Sequence, residues 1–260
     1  MTDAPVLRER RGATLVVTCN RPEKLNALST AMLEALDSAF DEAERDPDLR
    51  VVVVRGAGDR AFVAGADIEE YAQLDHASFV AYQERSRELF TKIDAFGKPV
   101  VGAINGYALG GGFEIALSCD VLIASTSARF GLPEGLLGLC PGGGGTQRLT
   151  RAVGPFVAND VLLSARRLTA DEARALGLVA EVVEPDALLD AALARAEAMQ
   201  KVAPLAAAAM ARLVREAGDV DLEEGLDREQ AALAALRATA DAEEGIRAFV
   251  EKRSPSFRGA

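Results

Sequence analysis

Val100-Val101-Gly102-Ala103-Ile104-Asn105-Gly106-Tyr107-Ala108-Leu109-Gly110-Gly111-Gly112-Phe113-Glu114-Ile115-Ala116-Leu117 reads as an apolar strand, a glycine-rich turn and a short helix. The apolar run Val100–Ala103 has strand length and no polar face, as in a sheet covered on both sides. Gly106 to Gly112 predicts a tight turn, and Phe113–Ser118 a helix. Val121–Ala124 is the next strand. Upstream, Thr14–Cys19 and Val51–Val54 are strands of the same type. Between them Ser29 opens a helix with Met32, Leu33, Leu36 and Phe40 at helical spacing. Gly56 to Asp67 reads as a loop and Ile68–Phe96 as largely helical. Downstream come Thr146–Val153, a helix over Val157–Ser164, a capping box at Thr169-Ala170-Asp171-Glu172 stopped by Gly177, and a strand at Val179–Val183. Strands alternating with helices predict an α/β fold with crossover connections.

From Asp186 the pattern is helical. Leu188, Leu189, Ala192 and Leu193 form one stripe, and Pro204 starts a helix carrying Met210, Leu213 and Val214. Asp221-Leu222-Glu223-Glu224 and Asp241-Ala242-Glu243-Glu244 read as further caps. The change of pattern divides the chain near residue 190, into 1–190 and an alanine-rich helical region, 191–260.

The 260 residues give ample length for a large core. Net charge is −11, from 29 basic and 40 acidic side chains. Such a balance argues against nucleic acid or an anionic membrane as the main partner, while leaving room for an anionic small molecule. Cys19, Cys119 and Cys140 lack Cys-x-x-Cys spacing, so no structural zinc site is expected, and their odd number fits a reducing compartment. The single histidine, His76, stands in a polar stretch and is expected at the surface. The stretch from Met1 to Arg10 lacks the apolar core of a leader peptide. Pro99–Leu117 is apolar enough to suggest a membrane span. It contains Glu114 and five glycines, however, and two β/α units suit it better. A cytoplasmic location is expected.

The chemistry concentrates at Glu114 and Glu134. Glu114 follows Gly110-Gly111-Gly112. Glu134 follows Phe130-Gly131-Leu132-Pro133 and precedes a second run, Gly142 to Gly145. Glycine lets backbone N–H groups approach a ligand, and a helix start presents such donors unpaired. The first run is therefore either an oxyanion site or simply a turn with positive φ. Each glutamate is either catalytic or a carboxylate favouring a helix start. Gly142 to Gly145 lacks the Lys-Ser/Thr of a P-loop and the spaced glycines of a dinucleotide site. It is better suited to offering an N–H to water or substrate. In Ala64-Gly65-Ala66-Asp67-Ile68, small side chains expose backbone donors, and Asp67 is placed to cap the helix that follows.

Taken together, the chain resembles the crotonase, or enoyl-CoA hydratase/isomerase, superfamily. The resemblance rests on Asn20 to Leu28 (Asn-Arg-Pro-Glu-Lys-Leu-Asn-Ala-Leu), Ala64 to Ile68, Asn105 to Glu114, Phe130 to Glu134, Pro141 to Leu149 and Ala248 to Arg253, in the family's order over nearly the whole chain. It implies a spiral of ββα units with a helical C-terminal region that builds homotrimers, often paired into hexamers. It implies an acyl-CoA thioester substrate whose oxyanion is held by the N–H groups of Ala66 and Gly111. Catalysis then falls to Glu114 and Glu134, and Gly142 positions the water. Coenzyme A contacts fall to Lys24, Ala64, Ala66, Asp67, Ile68, Phe249 and Lys252. No metal and no redox cofactor is implied, because coenzyme A is part of the substrate. Two departures stand out. Leu132 replaces a polar residue of mitochondrial-type hydratases, and Glu69 and Glu70 follow Ile68 where many relatives carry lysine.

Hydratases of the superfamily carry both glutamates, and isomerases typically keep only the position of Glu134. The pair therefore implies hydration of a trans-2-enoyl-CoA to the 3-hydroxyacyl-CoA, with Glu134 exchanging the proton at C2 and Glu114 serving the attacking water. Double-bond isomerisation, or hydration of a dicarboxylic or branched enoyl-CoA in a degradation pathway, is the alternative. An RNA-binding relative would need a basic helix, but Ser29 to Arg45 carries Glu34, Asp37, Asp41, Glu42 and Glu44 against Arg45 alone. A non-catalytic assembly subunit would have little use for both glutamates and both glycine turns.

Overall fold

The computed structural model describes residues 4–260, so Met1–Asp3 of the segment read for a leader lie outside the described residues. The described residues form ten strands: β1 (Val6–Arg11), β2 (Thr14–Cys19), β3 (Val51–Gly56), β4 (Ala61–Val63), β5 (Val100–Ile104), β6 (Tyr107–Leu109), β7 (Val121–Ser125), β8 (Arg129–Gly131), β9 (Leu168–Thr169) and β10 (Glu181–Val183). The larger sheet runs β1-β2-β3-β5-β7-β10 and the smaller β4-β6-β8-β9. Pairing is parallel from β2 through β10, with β1 and β9 antiparallel to their neighbours. Each turn of chain lays one strand in the large sheet, bends, lays the next in the small sheet, and returns through a helix. This is the spiral of ββα units expected from the resemblance.

The bends are made by residues that only the fold explains. A Cβ on Gly56 would lie 2.2 Å from the Ala61 carbonyl oxygen, and one on Gly106 the same distance from that of Arg60. Backbone passes backbone here, which only glycine permits. Two buried asparagines stitch the corners. The Asn105 side chain accepts from Gly56 N–H (3.1 Å) and donates to the Gly58 and Ala61 carbonyls (2.8 and 3.1 Å). Asn26 accepts from Arg21 N–H (2.9 Å) and donates to the Ala57 and Ala61 carbonyls (3.0 and 2.8 Å).

The helices are α1 (Thr30–Arg45), α2 (Ile68–Tyr71), α3 (His76–Asp94), α4 (Gly111–Leu117), α5 (Gly145–Val153), α6 (Pro155–Ser164), α7 (Ala170–Ala175), α8 (Leu188–Gln200), α9 (Pro204–Glu216), α10 (Leu222–Arg237) and α11 (Ala240–Val250). Ser29 caps α1 by accepting from Met32 N–H, and Met32, Leu33, Leu36 and Phe40 are buried as their spacing requires. Thr169 and Glu172 form the expected capping box of α7. His76 is exposed at the head of α3.

Several elements differ from the expectation. The stretch 56–67 holds β4, and the turn at 106–112 holds β6. The helix expected over Ile68–Phe96 is two, because Asp75 caps a fresh start by accepting from Ser78 N–H at 2.8 Å. Asp241 caps nothing. Thr239 caps α11, and buried Asp241 instead accepts from Arg258 and Gly259 N–H (2.7 and 2.8 Å), tying the last described residues to the helix.

The division expected near residue 190 falls inside α8, whose Leu188, Ala192 and Ala196 pack on Val51, Val53, Val101 and Ile123 of the large sheet. The helices that leave most of their surface uncovered are α9 to α11. Met210, Val214, Leu222, Leu226, Phe249 and Val250 are all at least half exposed there. Among the described residues no helix is long and apolar enough to cross a membrane.

Candidate active site

At the end of β6 the chain reverses through Gly110, whose φ of 51° and ψ of −126° suit glycine alone. Its N–H donates to the Gly131 carbonyl of β8 at 2.9 Å. Gly111 then begins α4, and the N–H of a first helical residue has no partner within its helix. Gly112 is pressed so closely on β4 that an added Cβ would sit 1.9 Å from the Val63 carbonyl oxygen. Beyond β4, Leu28 and Ala66 form an isolated parallel bridge. Leu28 N–H donates to the Gly65 carbonyl and Asp67 N–H to the Leu28 carbonyl, both at 2.8 Å. Ala66 N–H keeps no acceptor among the described residues. Ala66 and Gly111 thus bring two undonated backbone N–H groups to the wall of one cavity of about 260 Å³.

Glu114 and Glu134 line that same cavity. Glu114, on α4, is 4% exposed. Its Oε1 accepts from Gly143 and Gly145 N–H, each at 2.8 Å. Arg148 holds this glycine turn in place, donating to the Gly143 carbonyl (2.6 Å) and pairing with Asp94. Burial pushes the Glu114 carboxyl above its usual range, opposed by the two N–H donors and the Arg148 charge. Glu134 follows Pro133, the first residue of a short helix over Pro133–Leu137. Its Oε2 is buried without any hydrogen-bond partner. Burial first, and the neighbouring Glu114 charge second, push its carboxyl up to about 7.

This shift links stability to pH. The folded value lies above the ordinary 4.5, so the contribution is fully present below pH 4.5 and is lost as pH rises through 7. Glu134→Gln removes the charge and keeps the shape. The variant's gain in melting temperature over the parent should therefore grow between pH 4.5 and 7 and level off above. Melting curves across that range would show a flat difference if Glu134 titrates normally.

Of the other expected residues, Ala64, Ile68 and Gly142 line the cavity. The N–H groups that grip Glu114 belong to Gly143 and Gly145, which sequence reasoning passed over within a four-glycine run. Asp67 caps α2 by accepting from Glu70 N–H and pairs with Arg21 at 2.8 Å. Lys24 is engaged with Glu69 at 2.7 Å. Phe249 is 86% exposed, and Lys252 adopts a φ of 56° just beyond α11. Neither of them, nor Lys24, reaches the cavity. Tyr71 and Gln83, not among the expected site residues, do.

A model of the family described as enoyl-CoA hydratase/isomerase matches residues 9–260. The chain belongs to the enoyl-CoA hydratase/isomerase family. It is 42% identical to the 2,3-dehydroadipyl-CoA hydratase of Escherichia coli K12 over 100% of both chains. It is 40% identical to the short-chain-enoyl-CoA hydratase of Clostridium acetobutylicum over 95% of each. Among solved structures of the family, an enoyl-CoA hydratase from Bacillus anthracis superposes with a TM-score of 0.95 at 36% identity, over 98% of this chain and 100% of that one. The enoyl-CoA hydratase/isomerase fold therefore extends over the full set of described elements.

Proposed function

We propose that this member of the family hydrates a trans-2-enoyl-CoA to the 3-hydroxyacyl-CoA. One observation carries the reading. A carboxyl poised near neutrality with a bare oxygen, Glu134, faces a cavity shared with a backbone-anchored carboxylate, Glu114, and two undonated N–H groups. A second carboxylate is what a water nucleophile needs and a simple double-bond shift does not.

The thioester oxygen lies between Ala66 and Gly111 N–H, where negative charge builds as water adds. Removing one such donor typically costs about 10²–10³-fold in rate. Glu114 is oriented through Oε1, which leaves Oε2 to take the proton of the attacking water. Glu134, near half protonation at pH 7, gives its proton to C2. The Gly142 N–H completes the water's surroundings. Coenzyme A runs along Ala64, Ala66 and Ile68, with Asp67 holding that segment through its cap and its Arg21 pair. Lys24, Phe249 and Lys252 take the nucleotide end outside the cavity, where Lys24 exchanges Glu69 for phosphate. No metal or redox group takes part in this scheme.

The test is loss of the conjugated absorbance of but-2-enoyl-CoA, with kcat/KM falling as pH rises through about 7 because the donor form of Glu134 is lost. Appearance of a shifted alkene in place of the 3-hydroxy product would instead establish isomerisation.

We further assign the helical region beyond α8 to assembly of homotrimers, or hexamers as paired trimers, in the cytoplasm. The uncovered apolar side chains of α9 to α11 support this, since several large apolar side chains exposed on successive helices mark a surface suited to a partner. Light scattering should give a trimer or hexamer mass. A stable monomer at micromolar concentration would refute the assignment.

A further inference from the structure

Six side chains of the cavity wall carry oxygen: Tyr71, Tyr82, Gln83, Ser86, Glu114 and Glu134. Tyr82 O–H donates to the Leu28 carbonyl at 2.8 Å, and Ser86 Oγ–H to the Tyr82 carbonyl at 2.9 Å. The two glutamates belong to the chemistry. Tyr71 and Gln83 remain, and they are bonded to one another, with Gln83 Nε2–H donating to Tyr71 Oη. Tyr71 Oη then accepts and keeps its own hydrogen, for which the described residues provide no acceptor. Turning the Gln83 amide over makes Tyr71 the donor and leaves both Nε2 hydrogens free instead. In either arrangement the pair presents a donor hydrogen to the cavity and no charge.

The donor is held firmly. The Tyr71 ring packs edge-on against Phe79 and Tyr82, with centroids 5.0 and 5.4 Å away. Burial raises its pKa, so the phenol stays protonated at neutral pH. Gln83 lies against the backbone of Gly142, where an added Cβ would meet its Oε1 at 3.0 Å. Its place in the cavity follows from α3. Phe90 touches the catalytic end: an added Cβ on Gly111 would lie 3.7 Å from its ring, and one on Gly143 only 2.3 Å. Gln83 lies two turns nearer the start of that helix, and its side chain reaches back to Gly142. The pair therefore stands just beyond the carbon that water attacks, within reach of the end of a short acyl chain.

We propose that Tyr71, oriented by Gln83, determines acyl specificity by donating a hydrogen bond to an oxygen carried at the far end of a short enoyl chain. The proposal deepens the hydratase reading and rests on it. The oxygen comes from a carbonyl or a carboxylate. Among the described residues no lysine, arginine or histidine lines the cavity, and two glutamates do. A neutral carbonyl thus meets less electrostatic resistance than a carboxylate would. A cavity serving plain alkyl chains would gain nothing from an uncompensated donor, which costs desolvation when no partner arrives.

The experiment compares hex-2-enoyl-CoA, 2,3-dehydroadipyl-CoA and the ω-methyl ester of the latter, with the parent protein, Tyr71→Phe and Gln83→Leu. Tyr71→Phe retains the ring and its edge contacts. It should lower kcat/KM for an oxygen-bearing substrate by about 10-fold relative to the alkyl one, mainly through KM. Gln83→Leu should act in the same direction. A loss confined to the ester identifies a carbonyl, and one that includes the acid a carboxylate. Equal losses on all three substrates would place Tyr71 on the shared coenzyme A portion or on the chemistry, and no loss on any would make it structural. Either result overturns the proposal. If the parent hydrates none of the three, the hydratase reading fails by itself. Calorimetric binding of adipyl-CoA, its methyl ester and hexanoyl-CoA then reads the Tyr71 preference without turnover.

Discussion

Glu134→Gln should lower kcat for hydration of but-2-enoyl-CoA by at least about 10²-fold, with the protein folded and no less stable at pH 8. The amide fills the same space and no longer holds a proton acidic enough to pass to carbon. Because Oε2 of Glu134 has no partner, the substitution breaks no hydrogen bond at that atom. Glu114→Gln should reach a loss of similar size by another route. Its amide oxygen can still accept from Gly143 and Gly145 N–H, so the turn keeps its anchor. The free position then becomes an NH₂ group, which cannot take a proton from water. The double variant should lose far less than the product of the two single losses, since the residues act on one event. Steady-state rates of the three variants, beside their melting curves, decide the matter. Near-parental hydration by either single variant would remove that glutamate from the mechanism.

Gly111→Val should be almost as damaging, by about 10²-fold or more in kcat/KM. An added Cβ at Gly111 meets the Leu28 side chain at 2.9 Å and faces the Phe90 ring, so the valine methyls are expected to crowd the cavity proposed for the thioester. The strained backbone angle of this turn belongs to Gly110 and not to Gly111, so the substitution blocks a site more than it distorts a chain. Gly145→Ala would also disturb the site, at a different point. Its Cβ would press on Pro141, Leu132 and Glu114, and its N–H is one of the Glu114 anchors. Gly97, with nothing within 4 Å of an added Cβ and no positive φ, provides the control as Gly97→Ala. Parental activity in folded Gly111→Val would move the oxyanion site to another turn.

What could be read from the residues, and what could not, divides by range of interaction. Strands β2, β3, β5 and β7 announced themselves as apolar runs because a central parallel strand is covered on both faces. β4, β6, β8 and β9 have two or three residues each, too few for any period, and exist because the neighbouring turn of the spiral offers them hydrogen bonds. β1 is a charged edge strand whose last four residues are exposed, so nothing apolar marked it. Glu114, Glu134 and the two small-residue turns that the fold brings to one cavity stood out in the sequence because glycine is costly to keep without a use. The anchoring of Glu114 by Gly143 and Gly145, and the meeting of Tyr71 with Gln83, required chain segments folded against one another. The same holds for Lys24: as a residue type it suggests a free cation, and only the fold brings Glu69 to it.

The Ala61 carbonyl, which receives both Asn26 and Asn105, has a further consequence. The segment leading to Ala66, the segment leading to Gly111 and the loop bearing Leu28 all converge on that one peptide. The two N–H donors proposed for the thioester oxygen are therefore expected to loosen together. An opening that frees either asparagine loosens the common point, and amide protons of all three segments become exchangeable in one cooperative event. Activity on warming is then expected to vanish as a single unit, set by the local stability of this junction and not by the melting of the sheets around it.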